Sequence, residues 1–240
     1  MTNYLIRIKY DGSKFNGFQR LNDRNTVQET IEKALTIIDK QPVLIKGAGR
    51  TDKGVHALDQ CATFKLKHDI PEKRLKKAIN SIVAPYIYIK EVVKVDDDFH
   101  ARFCVKTKTY VYKIYRGEFD PFLTDYYLFR DNLDVKKMID ASKIFIGEHY
   151  FTNYVSGFRK NYASTIYSID FKEEKDFIYI TFKGISFYQY MVRNLVGAMI
   201  AYSDGKTTLK EIKDLLDCKE KNQKLPTASP KGLYLVNIEY

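Results

Sequence analysis

The first strongly patterned stretch of the chain, residues 4–10, alternates between two faces. One face carries Tyr4, Ile6, Ile8 and Tyr10, and the other carries Leu5, Arg7 and Lys9. An alternation of period two predicts a β-strand with one buried face. A Thr26-x-x-Glu29 capping box then opens a stretch with apolar residues at helical spacing, which predicts a helix that ends before Pro42.

The rest of the first half predicts two strands, a helix and a further strand. The two strands lie at 43–47 and 58–66, the helix begins at Pro71 and directs Leu75, Ala78, Ile79 and Ile82 inward, and the last strand covers 86–95. The predicted order of elements is therefore β-α-β-β-α-β.

The second half repeats this order as a pattern, without evident sequence identity. Its predicted elements are a strand at 105–115, a helix between Asp134 and Gly147, strands at 164–173 and 177–184, helices at 187–202 and 208–217, and a strand at 232–239. Two such units predict the α+β class, with two ferredoxin-like (RRM-like) halves that form an extended antiparallel sheet with a central cleft. The predicted halves are residues 1–103 and 104–240.

Composition is that of a globular protein. Hydrophobic residues make up 45% of the 240 residues, which is enough for a full core. No apolar run approaches the roughly 18 residues that span a bilayer, and Arg7 interrupts the apolar stretch at the N-terminus, so neither a membrane segment nor a signal peptide is predicted. The three cysteines are far apart and include no C-x-x-C pair, which indicates a reduced, cytoplasmic setting.

The net charge of +10 favours a polyanionic partner, and nucleic acid is the commonest one. Some of the 19 tyrosines and 15 phenylalanines could stack on unpaired bases, although most are expected in the core. The abundance of Lys, Ile, Asn and Tyr could also reflect the base composition of a genome, so charge alone raises the expectation of nucleic-acid binding only modestly.

A polar loop bounded by glycines, residues 49–57, separates two of the predicted strands. Loops on a rigid scaffold are common places for functional groups. Asp52 lies between Arg50 and Lys53, so nearby positive charge should favour its ionised form. The alternative is a tight hairpin turn in which the glycines supply backbone freedom.

The predicted helix at 187–202 is apolar nearly all round, which indicates that it is buried. Arg193 lies in its middle, and a buried guanidinium is costly unless a carboxylate or several acceptors pair with it. We therefore expect an anionic partner for Arg193 from elsewhere in the fold. The alternative is that its side chain extends to the surface.

One face of the strand at 105–115 carries Lys106, Lys108, Tyr110 and Tyr112. Such a face suits a nucleic-acid strand, with phosphates on the lysines and bases on the tyrosines. An ordinary solvated face, with tyrosines present for their β propensity, explains the pattern equally well.

The segment Phe99–Phe103 lies where the two predicted halves join. If it is extended, His100 and Arg102 fall on the same side, where both could face a phosphate. The alternatives are a structural hydrogen bond for His100 and a salt bridge from Arg102 to the acidic run 96–98. We interpret that run as a solvated turn, because three consecutive carboxylates cannot all face one metal ion from a strand.

The motifs leave a narrow range of chemistry. The sequence has no Gly-x-Ser-x-Gly, no Walker-type phosphate loop, no dinucleotide glycine pattern and no visible His/Cys/Glu metal cluster. What remains is an aspartate, Asp52, an arginine that needs a partner, and a tyrosine on a basic strand. A lone carboxylate can act as a nucleophile or base at a sugar anomeric carbon.

The string Gly-Arg-Thr-Asp-Lys-Gly-Val-His-Ala at 49–57 resembles the signature of the tRNA pseudouridine synthase A family. Other stretches resemble the same family in the same order, and they are Tyr10-Asp11-Gly12, Gly17-Phe18-Gln19, Phe99–Phe103, Thr109–Tyr112, Met191–Gly197 and Gly232–Val236. The resemblance runs from about residue 4 to residue 240.

This resemblance implies isomerisation of uridine to pseudouridine in tRNA, without a cofactor or a metal. It implies that Asp52 is the essential aspartate, that Arg193 pairs with it, and that Tyr110 stacks on the target uracil. Arg50 would help to hold or displace the flipped nucleotide. Further substrate contacts are expected from Lys53, His56, His100, Arg102 and Lys108.

The same resemblance implies action on the anticodon stem-loop, at positions 38–40, by a homodimer in which one tRNA touches both subunits. The sequence departs from the family pattern at Phe18, where Trp is more frequent, and at Lys53, where a small residue is common. Ser164-Thr165-Ile166 also lacks an arginine often found just before this strand, which puts the RNA footprint in doubt.

Two other functions fit parts of the pattern. A non-catalytic RNA-binding protein could consist of tandem ferredoxin-like modules, but the Gly-Phe-Gly/Ala-Phe core of such modules is absent. A metal-dependent nuclease needs at least two or three converging carboxylates, which the sequence does not reveal.

Overall fold

The structure is a computed structural model that describes residues 1–22, 24–222 and 225–240. The chain forms two compact units. Unit 1 comprises Met1–Lys106 and Tyr234–Tyr240, and unit 2 comprises Thr107–Leu233. The predicted division into 1–103 and 104–240 is therefore wrong for the end of the chain, which belongs to unit 1. The reason is backbone pairing, because Tyr234 and Leu235 pair in parallel with His56 and Ala57.

The helices and strands follow in chain order. In unit 1 they are β1 (Thr2–Tyr10), α1 (Val27–Asp39), β2 (Lys46–Gly47), β3 (His56–Leu66), α2 (Glu72–Val83) and β4 (Ile87–Lys94). In unit 2 they are β5 (Thr107–Tyr115), β6 (Leu128–Phe129), α3 (Val135–Lys143), β7 (Gly147–Tyr150), β8 (Ala163–Glu174), β9 (Phe177–Gly184), α4 (Met191–Ser203) and α5 (Leu209–Asp217). The last strand is β10 (Leu233–Glu239).

Each unit is built on a mostly antiparallel sheet. In unit 1 the strand order is β4-β1-β3-β10, and β2 also pairs with β3. In unit 2 the order is β5-β9-β8-β7, and β6 pairs in parallel with β5. The predicted α+β class is confirmed, and unit 1 has the predicted β-α-β-β-α-β order. Unit 2 contains two strands that were not predicted, β6 and β7.

The periodic segments formed the expected elements. The predicted buried face of β1 is buried, with Tyr4, Ile6 and Ile8 at 0% exposure. Thr26 caps α1 by accepting a hydrogen bond from the backbone N–H of Glu29. In α2 the prediction for Ile82 is wrong, because that side chain is 41% exposed and its neighbour Val83 turns inward instead.

The strand predicted at 43–47 is much shorter than expected, because two of its backbone donors are used elsewhere. The N–H of Ile45 donates to the Glu32 carboxylate at 2.9 Å, and the N–H of Val43 donates to the Thr36 hydroxyl at 3.2 Å. Both acceptors belong to α1. Side chains of the preceding helix thus replace a strand partner, and the chain reaches the loop at 49–57 tied to α1.

Among residues 1–22, 24–222 and 225–240, no helix is long and apolar enough to cross a membrane. Within the same ranges, no group of three or more His, Cys, Asp or Glu side chains is placed to hold a metal ion.

Candidate active site

The loop at 49–57 turns sharply at the position of the candidate carboxylate. The N–H of Val55 donates to the Asp52 carbonyl at 3.1 Å, and Gly54 has a φ of +81°, a conformation that favours glycine. Asp52 is half-buried, whereas Arg50 and Lys53 are exposed. The loop is therefore a tight turn, which was the alternative drawn from the sequence. It also carries the charged side chains of Arg50 and Lys53 toward solvent.

Two glycines of the N-terminal segment lie directly under this turn. A Cβ atom on Gly12 would lie 2.0 Å from the Val55 carbonyl oxygen, and one on Gly17 would lie 2.8 Å from the Thr51 carbonyl oxygen. The N–H of Phe18 also donates to the Thr51 carbonyl at 3.1 Å. The motifs at 10–12 and 17–19 thus form the floor on which the backbone of the Asp52 turn rests.

Buried hydrogen bonds fix the two ends of the turn. The Tyr10 and Thr51 hydroxyl groups lie 2.8 Å apart in the interior, and burial raises the pKa of Tyr10 far above its ordinary value. The side chain of Gln60, which is 0% exposed, donates to the Gly49 carbonyl at 3.1 Å. A backbone held on both sides has few alternative conformations, so the position of Asp52 is well defined.

His56 is the first residue of β3 and is almost fully buried, at 2% exposure. Its ring stacks on Tyr234, with 4.5 Å between ring centroids and 16° between planes. Its Nδ1 accepts a hydrogen bond from the Gly12 N–H at 3.1 Å, which requires that this nitrogen carry no proton. The Asp11 carboxylate lies 3.4 Å from the same nitrogen, but it already accepts hydrogen bonds from Ser13.

The segment containing His100 and Arg102 is a turn, so the expectation of an extended segment is wrong. The N–H groups of Phe103 and Cys104 both donate to the His100 carbonyl at 3.1 Å. The His100 ring accepts a hydrogen bond from the Arg102 N–H and packs on Phe103, with 4.4 Å between centroids. Burial lowers the pKa of His100, and the nearby charges of Lys46 and Arg102 lower it further, so the imidazole is neutral at pH 7.

The part of the predicted lysine–tyrosine face that lies in β5 is buried rather than solvated, whereas Lys106 precedes the strand and is exposed. Lys108 and Tyr110 are 9% and 6% exposed, and Tyr112 is 0% exposed. The Tyr112 hydroxyl donates to the Ser229 carbonyl at 2.7 Å, which accounts for it as a structural residue. Tyr110 meets the edge of Phe187 at a centroid distance of 5.1 Å.

Arg193 lies in the first turn of α4, because that helix begins at Met191 and not at 187 as predicted. Tyr190 precedes the helix with a φ of +64°, which interrupts the helical backbone. Arg193 is half-buried, so the expectation of a deeply buried guanidinium is wrong. Its Nε donates to the Ala228 carbonyl at 2.8 Å, and its guanidinium carbon lies 4.7 Å from the centre of the Tyr190 ring. These contacts orient the guanidinium group.

Known proteins are similar to this chain over its whole length. A sequence model described as tRNA pseudouridine synthase matches residues 6–104 and 141–240. The chain belongs to the tRNA pseudouridine synthase family. The tRNA pseudouridine synthase A of Finegoldia magna is 40% identical over 244 residues, and the tRNA pseudouridine synthase A 2 of Bacillus cereus is 38% identical over 245 residues; both alignments cover 100% of each chain.

Solved structures are similar only weakly. A Cbf5-Nop10-Gar1 complex gives a TM-score of 0.35 at 12% identity, covering 82% of this chain and 54% of the other. A TM-score of this size does not establish a shared fold.

The family model matches the segments that contain some of the predicted site residues, but not the segment that contains others. Asp52 and Arg193 both lie within the matched residues. Lys108 and Tyr110 lie in the unmatched stretch 105–140, although the full-length relatives align across it.

Sequence reasoning missed several residues that shape the family motifs. The Asn194 side chain donates to the Tyr154 carbonyl at 3.0 Å and accepts from the Thr227 hydroxyl at 2.6 Å. Gly197 lies so close to the Pro226 carbonyl that a Cβ atom would be 1.7 Å from its oxygen. The available signal was a lone asparagine on an otherwise apolar helix, since a buried amide requires partners. In the synthase family motif at 191–197, polar and glycine positions thus hold the chain segment at 226–228.

Proposed function

We propose that this protein isomerises uridine to pseudouridine in tRNA and that Asp52 is its catalytic carboxylate. The observation that carries the proposal is the Asp52 turn, which stands on Gly12 and Gly17 and presents a half-buried carboxylate in a chain of the tRNA pseudouridine synthase family. A catalytic group gains from such a rigid support, because its approach to the reacting atom is set before the substrate arrives.

The reaction conserves every atom of the substrate. The N1–C1′ bond breaks, the uracil turns, and a C5–C1′ bond forms, while a proton leaves C5 and N1 carries one in the product. A carboxylate can assist at C1′ as a nucleophile or accept a proton as a base, which are the two roles open to Asp52. Since the target base is stacked in the RNA, it must first be flipped out, at a cost of roughly a few kcal/mol.

The remaining site residues take roles on the substrate. The family resemblance implies that Arg193 acts on the carboxylate of Asp52, and the Arg193 guanidinium is oriented by Ala228 and Tyr190. Tyr110 stacks on the uracil, and Arg50 holds the flipped nucleotide. Lys53, His100, Arg102 and Lys108 contribute contacts to the RNA, and the exposed charges of Lys53 and Arg102 suit phosphate. The predicted RNA contact of His56 does not fit its burial, and His56 supports the Asp52 turn from below instead.

Finer assignments follow from the resemblance of the motifs to the synthase A family. The target is the anticodon stem-loop of tRNA, at positions 38–40, the active form is a homodimer, and the protein acts in the cytoplasm. The names of the Finegoldia and Bacillus relatives support tRNA as the substrate.

The second candidate is a non-catalytic RNA-binding protein. It shares the basic charge of +10 but requires no particular carboxylate. The two candidates therefore differ in the consequence of removing the charge of Asp52.

The experiment compares wild type, Asp52→Asn and Asp98→Asn, an exposed aspartate of the same unit, in single-turnover reactions on one tRNA transcript. Pseudouridine is labelled chemically and located by mass spectrometry. We expect Asp52→Asn to abolish the product with tRNA affinity nearly unchanged, and Asp98→Asn to behave as wild type. Near wild-type turnover by Asp52→Asn would show that the assigned chemistry is wrong. The same mapping on tRNA from cells with and without the protein identifies the modified positions.

A further inference from the structure

Phe158 is the most exposed of the large hydrophobic side chains that the structure describes, at 91%. It lies in the loop 156–162, which directly precedes β8, and it is followed by Arg159 and Lys160, which are also exposed. The loop contains no acidic residue. An aromatic ring beside two cations is the combination that binds an unpaired nucleotide, by stacking on the base and neutralising phosphate.

The base of this loop is fixed although its tip is exposed. The N–H of Ser156 donates to the Gln189 carbonyl at 2.9 Å, and the N–H of Phe151 donates to the Tyr162 carbonyl at 3.0 Å. Lys221 donates to the Val155 carbonyl at 2.6 Å, which holds the start of the loop from another side. Phe158 is therefore presented by a supported loop, which lowers the entropy cost of ordering it on a ligand.

Arg159 is held in a position that leaves its charge available. Its guanidinium carbon lies 4.8 Å from the centre of the Tyr188 ring, and the Tyr188 hydroxyl donates to the Ala163 carbonyl at 2.7 Å. Neither Arg159 nor Lys160 forms an ion pair with a carboxylate of the described residues. A guanidinium stacked on one ring still has its edge free for phosphate oxygens.

The loop also lies next to the start of α4. Residues of the loop contact Tyr188 and Gln189. The next residue, Tyr190, packs its ring against the Arg193 guanidinium. The loop is thus held against the residues that directly precede α4.

We propose that the loop 156–162 binds an unpaired nucleotide of the substrate RNA, with Phe158 stacked on its base and Arg159 and Lys160 on the adjoining phosphates. This inference rests on the proposed function for the identity of the RNA. It assigns to this loop a part in selecting where on a tRNA the enzyme acts.

Unit 2 provides a matched control in Phe122. That side chain is 85% exposed, but it lies between Asp120 and Asp125, and the nearby Lys231 is paired with Asp125 at 3.4 Å. Exposure alone would give Phe122 and Phe158 the same role, whereas the charge of their surroundings separates them.

The test measures the affinity of purified full-length variants for a tRNA transcript and for a fully paired RNA duplex. We expect Phe158→Ala to weaken tRNA binding by about 5- to 150-fold, the range for one lost base stack, and Phe158→Tyr to bind as wild type does. Phe122→Ala should leave binding unchanged. The double variant Arg159→Gln/Lys160→Gln should lower the slope of log affinity against log salt by about 1 to 2. The affinity for the duplex should be the same for wild type, Phe158→Ala and Phe122→Ala, since stacking needs an unpaired base.

The inference is overturned if Phe158→Ala binds tRNA as wild type does, if Phe122→Ala loses as much affinity, or if the duplex shows the same loss. Pseudouridine formation by the wild-type protein is measured on the same transcript. If binding depends on Phe158 but no pseudouridine forms, the proposed function fails and the inference stands. If pseudouridine forms and Phe158→Ala binds tRNA as tightly as wild type does, the inference alone fails.

Discussion

Gly12 and Val55 are in direct backbone contact, because a Cβ atom on Gly12 would lie 2.0 Å from the Val55 carbonyl oxygen and 2.9 Å from the His56 nitrogen. The Gly12 N–H also donates to the His56 ring. Two motifs that are about 40 residues apart in the sequence thus share one small interface, and the position of Asp52 depends on it.

Gly12→Ala should displace the Asp52 turn. A methyl group has no room there, so we expect a loss of about 1–3 kcal/mol in the free energy of unfolding, together with a large loss of pseudouridine formation. Chemical denaturation and single-turnover rates measure the two effects. Gly205→Ala is the control, since Gly205 has a φ of +71° with open space around it and lies in unit 2. That variant should lose stability through backbone strain but keep its rate; an equal loss of rate would contradict the assigned role of Gly12.

Asp39 should make stability dependent on acid pH. Burial raises the pKa of this carboxyl, but hydrogen bonds from Lys67, Gln41 and His68 outweigh burial and lower the pKa to about 2. A pKa below that of the unfolded chain contributes stability above about pH 4, and this contribution disappears as the pH falls through about 2. We expect Asp39→Asn to lose about 2 kcal/mol at pH 7, because an amide cannot accept all these bonds.

The measurement for Asp39 is denaturant unfolding of wild type and Asp39→Asn between pH 7 and pH 2. The difference between the two proteins should shrink below pH 4. Asp97→Asn is the control, because Asp97 is a 78% exposed side chain paired with Lys65, and surface pairs contribute roughly 0–1 kcal/mol. A difference that is constant with pH would show that hydrogen bonding to the Asp39 carboxylate is not its cause.

The periodicity of apolar residues predicted the helices and strands whose apolar side chains lie on one buried face. β1, α1 and the β8–β9 hairpin follow from it, and the helix predicted at 208–217 forms as α5, which begins with a capping box of Thr208 and Glu211. The short strand β2 could not be predicted in the same way, because Glu32 and Thr36 take its backbone donors through contacts distant in sequence.

The same distinction holds for the candidate site. Asp52 was identified from its loop, since charge and glycine are local features. The environment of Arg193 was not, because the left-handed conformation of Tyr190 shortens α4 and moves Arg193 to its first turn. The floor formed by Gly12 and Gly17 was also missed, because close contact between backbones has no local pattern beyond the glycines themselves.

Binding to tRNA should weaken steeply with salt. A chain of net charge +10 that contacts phosphates releases counterions on binding, and two contacts alone give about a tenfold loss for a fourfold rise in salt. Filter binding from about 50 to 200 mM salt measures this slope. An unrelated single-stranded RNA of equal length is the control, and it should bind less tightly at every salt concentration. Affinity that does not change with salt, or that is equal for both RNAs, would count against tRNA as the partner.

Arg193→Lys should separate the charge of this residue from its geometry. The Nε of Arg193 donates to the Ala228 carbonyl, and the N–H of Ala228 donates to the Arg193 carbonyl at 3.0 Å. Lysine keeps the charge but has no Nε and no planar group to stack on Tyr190. Since the side chain is half-buried, we expect a loss of only about 1–2 kcal/mol in the free energy of unfolding, with a much larger loss in the single-turnover rate. Arg193→Ala should abolish the reaction.

Arg116→Lys is the matched control for Arg193→Lys. Arg116 is a half-buried arginine of the same unit that donates to the Lys175 carbonyl at 3.0 Å and pairs with Glu173, away from α4. Both lysine variants should therefore lose similar stability, but only Arg193→Lys should lose the reaction. If the two variants react equally fast, Arg193 serves the fold alone, and the carboxylate of Asp52 must act with another partner.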